Sequence, residues 1–143
     1  MEMQKELTYD EIQIGNRTHF TKTIADYDIY QFAGITGDFN PMHIDAEFAQ
    51  KTFFKGRIAH GMLSASFIST VLGMKLPGPN TIYLAQNLRF LAPVYIGDTI
   101  KAEVEVIEKI DEKKQIKLRT TVYKQDGTKV VDGEALVMKK SLT

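Results

Sequence analysis

The sequence predicts an α+β fold in which a curved antiparallel sheet is wrapped around one long central helix. Residues 60–73 carry no formal charge and place apolar side chains on all sides at helical spacing, which is typical of a helix buried all round. The second half of the chain alternates apolar and polar residues between turn signals, which is typical of half-buried strands. Because the helix must be covered by another layer, we expect those strands to form a sheet around it.

The composition is typical of a soluble globular protein and excludes several classes of function. With 143 residues the chain has the size of one domain, which we assign to residues 1–143. Basic and acidic residues number 18 each, so the net charge of zero gives no reason to expect nucleic acid or an anionic membrane as a partner. The absence of cysteine excludes disulfides, thiolate metal sites and cysteine nucleophiles.

The sequence carries no recognisable targeting or membrane segment. Residues 1–6 are charged and lack the apolar core of a signal peptide. No apolar run reaches the length that a membrane span requires. We therefore expect a cytoplasmic protein without a membrane partner.

A short strand and a helix are predicted ahead of the first informative motif. Residues 17–23 read as a short strand. Thr23 fits a helix N-cap with Asp26 three residues further on, and the helix is expected to run to about Thr36. Gly37 ends it, because glycine accepts the left-handed conformation that closes many helices.

A second short helix is expected after the motif, followed by a loop. Asp45 is predicted to cap this helix, which covers residues 46–52. The loop at residues 53–59 contains Lys55 and Arg57. These cations could contact phosphates, although solvated side chains are the more ordinary interpretation.

Four strands in an antiparallel meander are expected after the long helix. Alternation and the bounding prolines and glycines place them at residues 81–91, 100–106, 116–123 and 130–138. Asp126-Gly127 is a strong signal for a hairpin turn. A sheet on a single helix leaves its edges uncovered, and pairing with a second copy would cover them, so a homodimer is expected.

The stretch Thr36-Gly37-Asp38-Phe39-Asn40-Pro41-Met42-His43 concentrates the candidate chemistry. It places the carboxylate of Asp38 and the imidazole of His43 five residues apart. Pro41 has a fixed φ and no N–H, so we expect a stiff, bent loop that is not helical. Such a loop could aim both side chains at one small volume, as a general acid–base pair requires. The alternative is that Asp38 caps a turn and His43 is a surface residue.

Gly61 is expected at the amino end of the long helix. Unpaired backbone N–H groups and the helix dipole favour developing negative charge at such an end. Alternatively, Gly61 only lets the chain turn tightly into a core helix. In the same way Ser64, Ser66 and Ser69 could be no more than small packing residues.

The order of these motifs resembles the MaoC-like hydratases, and more closely the short (R)-specific enoyl-CoA hydratases. The resemblance covers residues 9–138 and is carried by segments 37–43, 59–62, 89–94 and 97–98. The combination of Asp-x-Asn-Pro-x-His with a later His-Gly-Met is its most specific part. The resemblance implies the hot dog fold, in which a curved antiparallel sheet wraps one long helix.

The resemblance also implies a reaction and residue roles. Asp38 and His43 would activate the water that adds to a trans-2-enoyl-CoA, giving an (R)-3-hydroxyacyl-CoA, and the N–H of Gly61 would bind the thioester oxygen. Ser69 would lie near the acyl chain, and we assign Asn40 and His60 with it to substrate binding. No cofactor or metal is expected, since coenzyme A belongs to the substrate, and the family acts as dimers.

Three other functions compete with this one. His43, Asp45 and His60 superficially resemble the iron site of two histidines and one carboxylate, although Asp45 reads as a helix cap. Hot dog folds also host acyl-CoA thioesterases, because a fold does not fix a function. A non-enzymatic acyl-CoA binding module would not need a general base, so the Asp38–His43 pair argues against it.

Overall fold

A five-stranded antiparallel sheet with one long helix packed on it forms the body of the protein. The computed structural model describes residues 6–140. Residues 1–5, which belong to the charged N-terminal stretch, and residues 141–143 of the predicted domain lie outside the described residues. In chain order the elements are β1 (Arg17–Thr23), α1 (Asp26–Thr36), α2 (Pro41–Ile44), α3 (Ala46–Gln50), α4 (Gly61–Met74), β2 (Thr81–Phe90), β3 (Thr99–Ile110), β4 (Gln115–Lys124) and β5 (Lys129–Lys139).

The core lies between α4 and the inner face of the sheet, as the alternation predicts. Alternate residues of β3 and β4 are buried, because successive strand residues point to opposite faces. From the helix the buried apolar side chains are Leu63, Ala65, Ile68, Val71 and Leu72. The hot dog fold is confirmed. Within residues 6–140, none of the helices is long and apolar enough to cross a bilayer.

The predicted four-strand meander is wrong for β2. The strand order is β1-β3-β4-β5-β2, so β2 pairs with β5 at one edge instead of with β3. The connection from β2 to β3 does not fold back as a hairpin because its backbone is hydrogen-bonded to segments outside these two strands. Val94 accepts the N–H of Ala59 at 2.7 Å, and the N–H of Gly97 donates to Ile24 at 2.7 Å. These bonds carry the chain past the end of α4 to the opposite edge.

The prediction that the long helix is buried all round is wrong for the single chain. Met62, Ser66, Ser69 and Gly73 form an exposed stripe along α4. Five strands cover one side of the helix, and the edge strand β2 does not close over the other side. The absence of charge on this stripe is therefore not explained by burial within one chain.

The start of α1 also differs from the prediction. Its N-cap is Ala25, and the carboxylate of Asp28 accepts the N–H of Ala25 at 2.9 Å. Thr23 is the last residue of β1 and its hydroxyl contacts that of Thr99, while Ile24 still donates to Asp98 in a sheet-like bond. The helix cannot begin until this pairing ends. Its predicted end is confirmed, with Gly37 left-handed at φ 81°.

Candidate active site

The segment expected to be a non-helical loop contains one turn of helix, α2. Asn40 is its N-cap, and the side-chain oxygen of Asn40 accepts the N–H of Met42 at 3.1 Å. The prediction from Pro41 is wrong because proline is tolerated at the first helical position, where its missing N–H has no partner to lose. Asp45 ends α2 and caps α3 as predicted, accepting the N–H of Phe48 at 3.1 Å.

Asp38 lies between α1 and α2 with its carboxylate partly engaged. One carboxylate oxygen, Oδ1, accepts the N–H of Asn40 at 3.2 Å. The N–H of Asp38 itself donates to the Thr36 hydroxyl at 3.2 Å. Asp38 is exposed in the single chain. Its second carboxylate oxygen is therefore available to a water or a substrate.

His43 is buried, and its ring is held by a backbone carbonyl. Nδ1–H donates to the carbonyl of Ile58 at 2.7 Å, which leaves the lone pair of the neutral ring on Nε2. Burial lowers the pKa of His43, and the nearby His60 lowers it further. The hydrogen bond to Ile58 and the charge of Asp38 oppose this lowering without cancelling it. A neutral imidazole with a free Nε2 is the form that accepts a proton.

Three of the predicted site residues converge. Asp38, His43 and His60 each contribute one carboxylate oxygen or ring nitrogen, and these atoms lie within 4.8 Å of one another. A water that makes two hydrogen bonds of about 2.8 Å at a tetrahedral angle bridges about 4.6 Å. Because these atoms lie no more than 4.8 Å apart, one water can contact both the carboxylate and the imidazole. The geometry supports acid–base chemistry on that water.

Gly61 is the first residue of α4, as predicted, so its N–H has no carbonyl of the same helix to bond. A Cβ at this position would lie 2.8 Å from Cδ1 of the Phe90 ring, so any larger residue would require the ring or the helix end to shift. A mainly apolar cavity of about 290 Å³ borders the helix end, lined among others by Gly61, Ser64, Phe90 and Val130. The N–H group thus lies beside a space that suits an apolar ligand.

The remaining predicted residues are not part of this cluster. Ser69 lies on the exposed stripe of α4, eight residues or about 12 Å along the helix axis from Gly61. The Asn40 side chain is engaged as a helix cap. Asp45 caps α3, so the metal triad of His43, Asp45 and His60 is not formed, and Asp38 lies with the two histidines in its place.

Sequence reasoning missed the residues that hold the site together. The carbonyl of Ile58 orients His43, and Arg57 donates through Nε to the carbonyl of His43 at 2.7 Å. The guanidinium of Arg57 also lies 4.8 Å from the ring centre of Tyr30. Arg57 is thus a partly buried structural residue, not the solvated cation that was expected. No local sequence signal identifies such contacts, because they join residues 14 to 27 positions apart.

The fold and the site together define a class of protein. It is a hot dog protein with a carboxylate–imidazole pair next to the free amino end of its central helix. This is the arrangement that the resemblance implied.

Comparison with known proteins identifies the family. The model of the MaoC like domain matches residues 10–128, and the chain belongs to this family. It is 52% identical over 130 residues to an (R)-specific enoyl-CoA hydratase of Rhodospirillum rubrum, covering 91% of this chain and 90% of that protein. It is 45% identical to a 3-hydroxybutyryl-CoA dehydratase of Methylorubrum extorquens, covering 92% and 83%. The unliganded R-hydratase PhaJ1 from Pseudomonas aeruginosa superposes with a TM-score of 0.91 at 47% identity, covering 95% and 87% of the two chains.

Proposed function

We propose that the protein catalyses the reversible addition of water to trans-2-enoyl-CoA, giving (R)-3-hydroxyacyl-CoA. The observation that carries the proposal is the convergence of Asp38 and His43 within 4.8 Å, next to the amino end of α4. The hydratase and dehydratase relatives described above support the same reaction class.

In the proposed mechanism one water lies between the carboxylate of Asp38 and Nε2 of His43. As its oxygen bonds to C3, one member of the pair takes a proton from it and negative charge moves to the thioester oxygen. The N–H of Gly61 stabilises that charge, an effect worth about 2.7–4 kcal/mol per donor in comparable oxyanion holes. A proton delivered from the pair to C2 completes the addition of one water.

The cavity beside Gly61 supports a thioester substrate with an apolar part. Its lining is mainly aliphatic and aromatic, with Phe54, Phe90 and Val94 among the lining residues. Ser69 is retained as a candidate for contact with the acyl chain, since it lies on the open stripe of α4. We assign Asn40 to holding the loop, because its side chain already caps α2.

We further propose a homodimer. The edge strand β2 exposes large apolar side chains along its length: Ile82, Tyr83, Leu84 and Phe90. The uncharged stripe of α4 is exposed as well, because the five strands of one chain do not cover it. A second copy added at β2 would extend the sheet and cover exposed apolar area.

The proposed reaction uses only groups of the chain and the thioester, so we propose that it needs no cofactor and no metal. Because Asp38, His43 and His60 could in principle ligate an ion, metal content of the purified protein and activity after chelation test this directly. A cysteine-free chain needs no oxidising compartment, which fits the proposed cytoplasmic location and is tested by cell fractionation.

The deciding experiment follows the loss of enoyl absorbance with crotonyl-CoA and with longer enoyl thioesters, carried on coenzyme A or on acyl carrier protein. We expect hydration with an (R) product by chiral analysis. A thiol reagent run in parallel detects free coenzyme A, whose release without hydration would indicate the thioesterase alternative. Saturable acyl-CoA binding without turnover of any enoyl thioester would indicate a binding module instead.

A further inference from the structure

His60 is among the most buried polar residues of the protein, and its side chain does not face solvent. It is 2% exposed, and its Nε2–H donates to the backbone carbonyl of Asp38 at 2.9 Å. Its ring lies 4.0 Å from the ring of His43, tilted by 30°, and 4.8 Å from that of Phe32. The other ring nitrogen, Nδ1, is also buried and has no hydrogen-bond partner among residues 6–140, so the bond from Nε2 to the loop that carries Asp38 is the one the ring makes.

The backbone of His60 belongs to a different part of the site. It is the N-cap of α4, and its carbonyl accepts the N–H groups of Leu63 and Ser64 at 3.0 and 3.2 Å. Gly61, which provides the N–H for the thioester oxygen, is the next residue. One residue therefore joins the end of the central helix to the segment that carries the acid–base pair.

The other hydrogen bonds between segment 38–43 and the residues before α4 all lie at the His43 end of that segment. Arg57 donates to the carbonyl of His43, Ile58 donates to that of Met42 at 3.3 Å, and His43 donates back to Ile58. Asp38 has local turn contacts with its neighbours in sequence. Among residues 6–140, the hydrogen bond from His60 is the one that ties Asp38 to the segment before α4.

We propose that His60 is a positioning residue that fixes the Asp38 carboxylate relative to the His43 imidazole and the Gly61 N–H, and that it does not bind substrate. The proposal rests on the hydratase function proposed above and replaces the expected substrate contact of His60. Positioning matters to rate because a displacement of about 1 Å in a site can cost about a hundredfold.

Two amide variants test whether the length of the side chain at position 60 matters, because both keep a polar N–H donor. In His60→Gln the side-chain amide can extend to the place of the imidazole Nε2 and donate to Asp38. In His60→Asn the amide is one methylene shorter and falls short. We expect the maximal kcat of His60→Gln to stay within about threefold of wild type and that of His60→Asn to fall at least about tenfold, with KM little changed in both.

The pH profile gives a readout that a purely structural role would not move. Asp38, His60 and the carbonyl of Ile58 face the His43 ring, and His60 contributes to lowering the pKa of His43. Both variants remove this contribution, so the acid limb of the kcat/KM profile should shift to higher pH in both, whereas only His60→Asn should lose maximal kcat. Equal maximal kcat in the two variants, or an unmoved acid limb in both, would overturn the proposal.

Amide hydrogen exchange of the 38–43 segment, followed by NMR, decides the question without turnover. We expect faster exchange at Asn40 in His60→Asn than in His60→Gln, because Asp38 loses its tether. If wild type hydrates no enoyl thioester, the proposed function fails, while this comparison still tests the tether. Equal exchange in the two variants would show that His60 does not hold Asp38.

Discussion

The imidazole of His43 donates its Nδ1–H to the carbonyl of Ile58 across 2.7 Å, and this bond decides which nitrogen can act. A carbonyl can only accept, so Nδ1 carries the hydrogen and Nε2 of the neutral ring carries the lone pair. Asp38, whose Oδ1 is used by the neighbouring Asn40, brings its carboxylate to the same place. The two groups differ in charge and burial, which is the condition for an acid–base pair with divided roles.

Loss of either member of the pair should stop most of the turnover. We expect Asp38→Asn and His43→Gln each to lower the hydration of crotonyl-CoA by at least about a hundredfold, with the fold unchanged by circular dichroism, because a positioned acid–base group contributes about 10²–10⁴-fold.

Matched controls for this pair exist in the chain. Asp45→Asn should keep wild-type turnover, because asparagine caps a helix as well as aspartate and Asp45 caps α3. His19→Gln, at an exposed position of β1, controls for the histidine change. Turnover near wild type in Asp38→Asn or His43→Gln would contradict the assignment of the acid–base pair. Loss of turnover in Asp45→Asn would support the alternative metal site of His43, Asp45 and His60.

The activity and the stability should both depend on the protonation of His43. Its pKa is lowered from the ordinary 6.5, so the neutral base persists to lower pH and the acid limb of kcat/KM should lie below 6.5. The unfolded chain takes up this proton more readily than the folded one. The free energy of unfolding should therefore fall as the pH drops below about 6.5, and urea titrations should show a smaller fall in His43→Gln. An acid limb above pH 6.5 would contradict this account.

The Phe90 ring and Gly61 should be energetically coupled. The Cβ of Gly61→Ala would lie 2.8 Å from Phe90 Cδ1, so the ring or the helix end must shift, and we expect kcat to fall about tenfold or more. Phe90→Leu in the same chain removes the ring edge and should restore part of that loss. Steady-state kinetics of the wild type, the two single variants and the double variant measure the coupling energy between the two positions. Strictly additive effects on kcat would refute the contact.

Gly133 in β5 should be intolerant of any side chain. Its Cβ would overlap the backbone carbonyl oxygen of Asn87, so β2 and β5 would have to separate. We expect Gly133→Ala to lower the free energy of unfolding by about 1–3 kcal/mol or more in urea titrations. Gly34→Ala is the matched control: apart from its chain neighbours and the backbone of its own helix, no atom lies within 4 Å of its Cβ, and alanine in a helix should gain up to about 1 kcal/mol. Similar stability in both variants would contradict the close approach.

The exposed edge of β2 should carry the proposed self-association. Leu84 is 42% exposed on this strand, and Leu84→Glu would place a charge where a second copy is proposed to pair. Light scattering after size exclusion should give a dimer for wild type and a monomer for Leu84→Glu. Thr21→Glu, on the opposite edge strand β1, should remain dimeric. A wild-type monomer, or equal effects at both edges, would contradict the proposed interface.

The sequence by itself determined most of the features that depend on neighbours along the chain, although not the start of α1 or the helical turn of α2. The period of residues 60–73 predicted α4, alternation predicted the strands, and Gly37 predicted the end of α1. The candidate residues Asp38, His43 and Gly61 were likewise found because their motifs are short and local. Such signals are carried by backbone preferences and side-chain period, which act over a few residues.

Only the tertiary structure decided which distant segments meet. The pairing of β2 with β5, the open stripe of α4, the Phe90 ring on Gly61 and the Ile58 carbonyl on His43 all join residues far apart in sequence. The sequence favours Asp38 over Asp45 as the partner of His43, but only the fold shows that Asp38 lies with both histidines. The physical reason is that packing and long-range hydrogen bonds are set by the whole chain, whereas period and capping are set by each segment alone.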